Sequence, residues 1–527
     1  MFYPTLDEIR QLRDAEMTAR TDTRKPLLPL CCDILADMET PVSAYCKIAT
    51  GPYSFLLESV EGGERIARYS FIGIDPYLVM KHRGEIATLH RQRSGRDASD
   101  LSSIEEVQCH DPLAFIQTEL ENYRLVKPLG IAHDKLPSFH GGAVGYLAYE
   151  TTARFEHIPV PEKDELGLPL AIFCFTETVL VFDHLKHRVR IVTHLHLDTP
   201  DLNAEYKRVL AIIEDVQQRL HQSPYLPQEP AIRYDPVTLQ INSNRSHGEF
   251  ESMVCKAQEY ICAGDIFQVV LSQRLSRHVN AAPFTVYRAL RSINPSPYMF
   301  FLDLQDFHII GASPELLVRV EDGEVTIHPI AGTRRRGTDP QSDQQLADEL
   351  KNDPKECAEH VMLVDLGRND VGRVSIPGSV QVSQFMEIER YSHVMHLVSN
   401  VTGQLRPDLT PYDALRAGFP AGTVSGAPKI RAMEIICELE GEQRGIYAGA
   451  VGYFSHSGNL DTAITLRTMV IQKGRAYIQA GGGIVADSNP AEEYQESMNK
   501  AKALLRALDE AENISKERRE THAFINR

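Results

Sequence analysis

Two segments of the chain carry glutamates at the spacing that sets carboxylates on one helical face. They are Glu356 and Glu359 in "DPKECAEHVMLVDLGRND", and Glu493 and Glu496 in "NPAEEYQESMNKAKALL". Mg²⁺ takes a few hard oxygen ligands and keeps several waters, so one glutamate from each of two helices plus a substrate carboxylate would suit it. Acidic residues on helices ordinarily face solvent, and Glu496 with Lys500 at i, i+4 is also an ordinary surface pair. Just upstream of the second helix, Gly481, Gly482 and Gly483 end a strand. Neither a G-x-x-x-x-G-K-[ST] loop nor a G-x-G-x-x-G turn opening straight into a helix is present there. Two readings stay open: a crowded strand end that needs glycine, or a row of backbone N–H groups sized for an anion smaller than a pyrophosphate. In "FPAGTVSGAPKIRAMEII", Thr423 and Ser425 precede a helix with Pro428 near its first turn. That arrangement attracts anions to free N–H groups, or is simply a cap by Ser425. His396 lies with His393 in apolar "HVMHLVSNV", and Arg467 in apolar "TLRTMV". A histidine there is also an ordinary core residue, whereas a strand arginine wants a buried anion. The basic turn "GTRRRG" (332–337) reads by itself as a solvated loop.

The elements that must position these groups form two series. Thr5 and Glu8 make a capping box for a helix from Leu6 to about Ala19, and a mainly β region follows from about Val42 to His196. After a helix near Ala204–Leu220, "HQSPYLPQEPAIRYDP" has four prolines and no period, and predicts a linker. The second series restarts at a Ser246/Glu249 capping box with a helix that stops at Gly264. "IFQVVLSQRL" predicts a strand, and "LLVRVEDGEVTIHPI" predicts a hairpin turning at Asp322-Gly323. A helix from Pro354 loses its pattern near Gly367, and the last helix is expected from Pro490 to Ala511. Strands mixed with segregated helices predict an α+β fold, mostly antiparallel, with helices packed outside.

Composition narrows the function classes. With Lys+Arg 55 against Asp+Glu 72, the net charge of -17 disfavours nonspecific contact with nucleic acid or an anionic membrane. Nine scattered cysteines without a C-x-x-C pair point to a reducing compartment. No signal-peptide-like start and no bilayer-length apolar run is present, so a cytoplasmic location is expected.

Taken in order, the strings resemble the chorismate-utilising enzymes, most closely the large, ammonia-using subunits of anthranilate synthases. The matching strings include "LLES" (56–59), "NPSPYMFF" (294–301), "GASPE" (311–315), "PIAGT" (329–333), "AEHVMLVDLGRND", "YSHVMHLVS", "GTVSGAPK", "GAVGYF" and "QAGGGIVADS". They run from about Leu56 to Leu505.

The resemblance implies that Glu359 and Glu496 carry Mg²⁺, and that Gly481–Gly483 and Lys500 hold a substrate carboxylate. It places Thr333, Thr423, Tyr447 and Arg467 around chorismate, His396 beside the ring, and Glu315 as the general acid for the C4 hydroxyl. Related enzymes carry a nucleophilic lysine where this chain has Ala331 and a water-activating lysine at Gln268, which leaves ammonia as the nucleophile at C2. No cysteine lies in a glutaminase-type turn, so ammonia is expected from a separate glutamine amidotransferase, in an assembly of two large and two small subunits. Glu58, Ser59, Asn294, Pro297, Tyr298 and Met299 correspond to a tryptophan pocket for feedback inhibition. Residues 1–225 are then the regulatory region and 246–515 the chorismate-binding catalytic domain. Two other readings are an aminodeoxyisochorismate synthase, which keeps the pyruvyl group, and a non-catalytic tryptophan-sensing module.

Overall fold

Strands from both halves of the chain build both of its β-sheets. A computed structural model describes residues 2–18, 22–35, 37–60, 68–91, 103–127, 136–224, 240–391 and 394–525. Most of the expected linker, and His393, lie outside them.

The first sheet has 14 described strands and the second 12. In the first, Ser54–Glu58 from the amino-terminal half pairs antiparallel with Tyr298–Asp303 from the second, with Glu58 opposite Met299. In the second, Gly142–Leu147 pairs with Ala450–Ser455. The division expected between 225 and 246 is therefore one of sequence and not of space. Among the described pairings only Lys25–Leu35 with Tyr123–Leu125 is parallel. The α+β expectation holds.

Alternation explains the layering. Successive strand residues point to opposite faces, so Phe55, Phe300 and Val451 enter an apolar layer between the sheets. Leu56, Met299 and Phe301 face the other way, against helices Pro283–Ile293 and Pro490–Ile525. A third apolar layer packs helix Pro354–Val374 on the second sheet and helix Lys429–Glu440 on strand Gln268–His278 of the first.

Local signals placed most elements. The Thr5–Glu8 and Ser246–Glu249 boxes are formed, and Asp322 and Gly323 both take positive φ in the expected hairpin. Two helices run further than their patterns. Pro354–Val374 continues through Gly367, which faces the sheet near Pro329, Ile327 and Val401 and so has neighbours in place of a side chain. The last helix extends to Ile525. Ser425 is not the cap of the helix near Pro428: its hydroxyl donates to Ala421 O at 2.8 Å, and Pro428 itself occupies the cap. Among the described residues no helix is long and apolar enough to cross a membrane.

Candidate active site

Glu315 and Arg467 both sit where the chain leaves one sheet for the other. Strand Phe307–Ser313 belongs to the first sheet and Leu316–Glu321 to the second, with Pro314 and Glu315 between them. Leu460–Ile464 and Thr468–Gln472 make the reverse crossing, with Arg467 held at φ 46°. The crossings bond to each other: Ala312 N donates to Arg467 O and Ile464 N to Glu315 O, each at 3.1 Å. Two charged side chains are thereby fixed at a seam where no apolar layer is complete.

Burial dominates at Glu315 and pushes its carboxyl up to about 8, although Thr423 Oγ1 donates to Oε1 at 3.0 Å and favours the anion. Burial lowers the Arg467 pKa, and the nearby Glu315 and Tyr391 act in the opposite direction. His396 Nδ1 lies 2.9 Å from Gly332 O and 3.1 Å from Thr333 Oγ1. A carbonyl only accepts, so Nδ1 carries the proton and Nε2 the lone pair. Burial lowers the His396 pKa, with Arg467 adding to the effect, which keeps the ring neutral.

The glycine strand Arg475–Ile484 pairs with Gln268–His278, and Gly481 lies opposite Ser272. The last helix presses directly on it. A Cβ on Gly482 would stand 2.9 Å from Glu493 Oε2 and 3.5 Å from Glu496 Oε1, and one on Gly483 would stand 2.4 Å from Gln268 Nε2. A Cβ on Gly481 would meet backbone, Leu271 O at 2.2 Å, so glycine is needed there for close approach, and the crowded-strand reading holds beside carboxylates that reach Gly482. Lys500 Nζ donates to Gly481 O at 3.0 Å and pairs with Glu496 at 2.7 Å.

Across the strand, Gln268 Nε2 donates to Glu359 Oε1 at 3.1 Å. Burial raises the Glu359 pKa, and Glu356 and Glu496 raise it further. Glu493 is raised for the same reason, burial first and then Glu496. The helix glutamates therefore converge from two separate helices. Among the described residues no three His, Cys, Asp or Glu side chains gather to hold a metal unaided.

A cleft of about 140 Å³ lies beside these groups; Glu315, His396 and the helix glutamates do not line it, and Glu315 reaches its wall through Thr423. Thr423, Tyr447, Arg467, Gly481–Gly483 and Lys500 line it. Tyr447 is buried, which pushes its phenol up to about 12. Thr333 stands exposed at the rim and touches His396. Pattern reading missed Gln479, which lines the cleft with a buried, unpartnered Oε1. Its signal was a polar side chain between Ile478 and Ala480 in an apolar strand. Tyr391 was also missed; its ring meets His396 edge-on at 5.6 Å.

A second cavity of about 400 Å³ opens between the sheets. Glu58, Ser59, Pro297, Tyr298 and Met299 line it, and Asn294 does not. Asn294 ends helix Pro283–Ile293 and turns its amide toward Ser296. The Glu58 carboxylate accepts from the Tyr287 hydroxyl and from Arg291 at 3.0 and 3.2 Å, which leaves part of its accepting capacity open. Ser59 Oγ and Asp461 Oδ1 are buried there with no partner among the described residues.

Comparison with known proteins places the chain in a family. Residues 55–506 match the chorismate binding enzyme family. The chain is 47% identical to anthranilate synthase component 1 of Acetivibrio thermocellus, over 98% of this chain and 100% of that one. It is 48% identical to the Pseudomonas putida protein of the same name, over 93% and 96%. The crystal structure of anthranilate synthase component I from Streptococcus pneumoniae superposes with a TM-score of 0.70 at 39% identity, covering 90% of this chain and 99% of that one. The menaquinone-specific isochorismate synthase of Escherichia coli, at 17% identity and TM-score 0.65 over 95% and 100%, shares the fold. This chain belongs to the chorismate binding enzyme family.

Proposed function

We propose that the chain is the ammonia-using component of an anthranilate synthase, converting chorismate and ammonia to anthranilate and pyruvate. The observation that carries this reading is a cleft lined by Arg467, Lys500 and the glycine strand, with Glu315, a carboxyl held up to about 8, bonded to its wall at Thr423 and helix glutamates reaching the same strand at Gly482. The identity to component 1 proteins over nearly the whole chain supports it.

Chorismate carries two carboxylates. Arg467, half-buried and with no ion pair among the described residues, suits one of them, with Tyr447 and Thr423 lining the same cleft. The backbone of Gly481–Gly483 and Lys500 suits the other. Glu315 stays protonated near pH 7 and delivers its proton to the departing C4 hydroxyl. His396, neutral with a lone pair on Nε2, is suited to remove the C2 proton as pyruvate leaves. The converging glutamates fit Mg²⁺, with Glu359 and Glu496 as its protein ligands: Lys500 answers only part of their joint charge, and two carboxylates leave coordination positions for substrate and water. When bound, that ion withdraws electron density through the ring carboxylate. Ala331 and Gln268 supply no amine to attack the ring, so the nitrogen comes from free ammonia.

The chain alone is expected to form anthranilate from ammonium salts at raised pH and none from glutamine, which requires a separate glutaminase partner. Fluorescence of anthranilate reads both arms. Glutamine-dependent product from the pure chain refutes the need for a partner, and an amino-isochorismate adduct instead of anthranilate assigns the earlier stopping point. We place the enzyme in the cytoplasm, in keeping with its nine unpaired thiols, and in an assembly of two large and two small subunits.

We further propose that the larger cavity takes tryptophan as a feedback inhibitor. Apolar walls and the unpartnered Ser59 and Asp461 oxygens suit an indole with a cationic amine. Two strands join this cavity to Glu315: Tyr298 pairs with Ser313, and Arg319 lies on the strand that starts directly after Glu315. Ser59→Phe should fill the cavity and weaken inhibition at least about tenfold, well within typical allosteric coupling, while uninhibited turnover stays near normal. Unchanged inhibition would move tryptophan elsewhere.

A further inference from the structure

Beneath the cleft lies a cation that none of the roles above uses. Arg444 is 1% exposed. Its Nε and Nη2 donate to the two oxygens of Glu440 at 2.8 and 2.6 Å. The remaining donors go to backbone: Nη1 to Val424 O at 2.8 Å and Nη2 to Val270 O at 2.7 Å. Val424 and Val270 both line the cleft. Glu440 Oε1 also accepts from Ser272 N and Oγ at 2.8 and 2.9 Å. Ser272 lies opposite Gly481, and its Oγ accepts from the cleft residue Gln479 at 2.8 Å. The Tyr447 ring stands 5.5 Å from the guanidinium. Glu150, pushed up to about 7 by burial, fixes the bend from below by accepting from Arg444 N at 2.6 Å and Gly445 N at 3.1 Å.

One buried ion pair thus ties together the Thr423–Val424 turn, the strand facing the glycines, the glycine strand itself and the residue that leads to Tyr447. These segments are separate in sequence; the pair bonds directly to the turn and to the strand facing the glycines, and reaches the glycine strand through Ser272 and Gln479. We infer that the Arg444–Glu440 pair is a positioning device for the substrate cleft, acting through the backbone of Val270, Val424 and Ser272 without touching chorismate. The inference rests on the proposed reaction.

The physical chemistry separates this role from plain stabilisation. Taking two ions out of water costs about as much as their attraction returns, so buried pairs are often replaceable by neutral side chains at little cost in stability. What neutral side chains do not supply is the guanidinium fork, which fixes two carbonyls from different segments at once. A shift of about 1 Å in groups that orient a reactant costs roughly 10²-fold in rate.

The test uses the full chain, Arg444→Lys, and the double variant Arg444→Met with Glu440→Gln. The double variant strands no charge, and its amide oxygen still accepts from Ser272. Three measurements are made: thermal midpoint, chorismate affinity by calorimetry without ammonia, and ammonia-dependent kinetics. The double variant should keep its midpoint within a few degrees, while chorismate affinity and kcat each fall about tenfold or more. Arg444→Lys should show the same losses, because three donors on one nitrogen do not span Glu440 and both carbonyls as the planar guanidinium fork does. The alkaline limb of the pH–rate profile should move to higher pH as the Thr423–Val424 turn shifts, because Thr423 then donates less well to Glu315. Kinetic constants within about twofold of the unmodified chain in a folded double variant overturn the proposal. So does failure of both variants to fold, which would make the pair a folding element. If the unmodified chain forms no anthranilate, the proposed reaction fails, and the positioning role is then decided by chorismate affinity alone.

Discussion

Replacing Glu359 or Glu496 by glutamine is expected to leave the chain folded and to abolish ammonia-dependent anthranilate formation. The direction on stability follows from the electrostatics. Burial raises Glu359, and Glu356 and Glu496 raise it further, so its ionised form is disfavoured by its surroundings. The isosteric amide removes one of these repelling charges and keeps the shape. The thermal midpoint should hold or rise slightly. Turnover should move the other way. Losing even an outer-shell partner of a bound metal typically costs about 10- to 100-fold, and a direct carboxylate ligand carries more of the affinity than that. A loss beyond about 100-fold is therefore expected in either variant. EDTA should silence the unmodified chain, and excess Mg²⁺ should restore it. Both halves matter: a variant that is inactive because it is unfolded says nothing about the metal, whereas one that melts normally and stays inactive at saturating Mg²⁺ does. Full turnover in Glu496→Gln at saturating Mg²⁺ would remove that residue from the site. The shared placement of Glu493 beside Gly482 names the alternative ligand.

The legibility of this site in the sequence depended on which kind of signal each residue left. Glu359 and Glu496 were readable as helix-face carboxylates, but spacing gave no reason for two helices 137 positions apart to meet. The ordered strings supplied that reason, and the structure shows its mechanics in the Cβ-sized gaps at Gly482 and Gly483. Thr423 and Glu315 likewise meet through a bond that spans 108 residues. Alternation located most strands, yet it carried no information on which strands pair. The linker suggested two successive units, while the pairings of Glu58 with Met299 and Leu147 with Ala450 run straight across that division. Glu58 shows a finer limit. Its place in the cavity wall was readable, but the direction of its carboxylate depends on Arg291, a helix residue that packs on the outer face. Arg444 left no local signal at all, since its partners are mostly backbone carbonyls and a glutamate one turn away.

Glu315→Gln is expected to lower kcat by about 10²- to 10⁴-fold, the usual worth of a positioned general acid, with little change in chorismate KM. Glutamine keeps the acceptor for Thr423 but has no proton acidic enough to release to the C4 oxygen. The pH dependence gives the stricter check. Glu315 acts in its protonated form, and burial holds its carboxyl up to about 8. At constant free ammonia, kcat should therefore stay level below that pH and fall about tenfold per unit above it. Holding free ammonia fixed is essential, because total ammonium at constant concentration supplies more nucleophile as pH rises and masks the limb. Thr423 then sets the position of the limb. Its hydroxyl donates to Glu315 Oε1 and so stabilises the carboxylate relative to the acid. Removing that donor in Thr423→Val raises the Glu315 pKa further, and the alkaline limb should move to higher pH, extending the active range even as the lost contact lowers the maximum. A limb that stays in place in Thr423→Val while kcat falls would assign it to a group other than Glu315, and a limb that moves to lower pH would reverse the assignment of Glu315 as the acid.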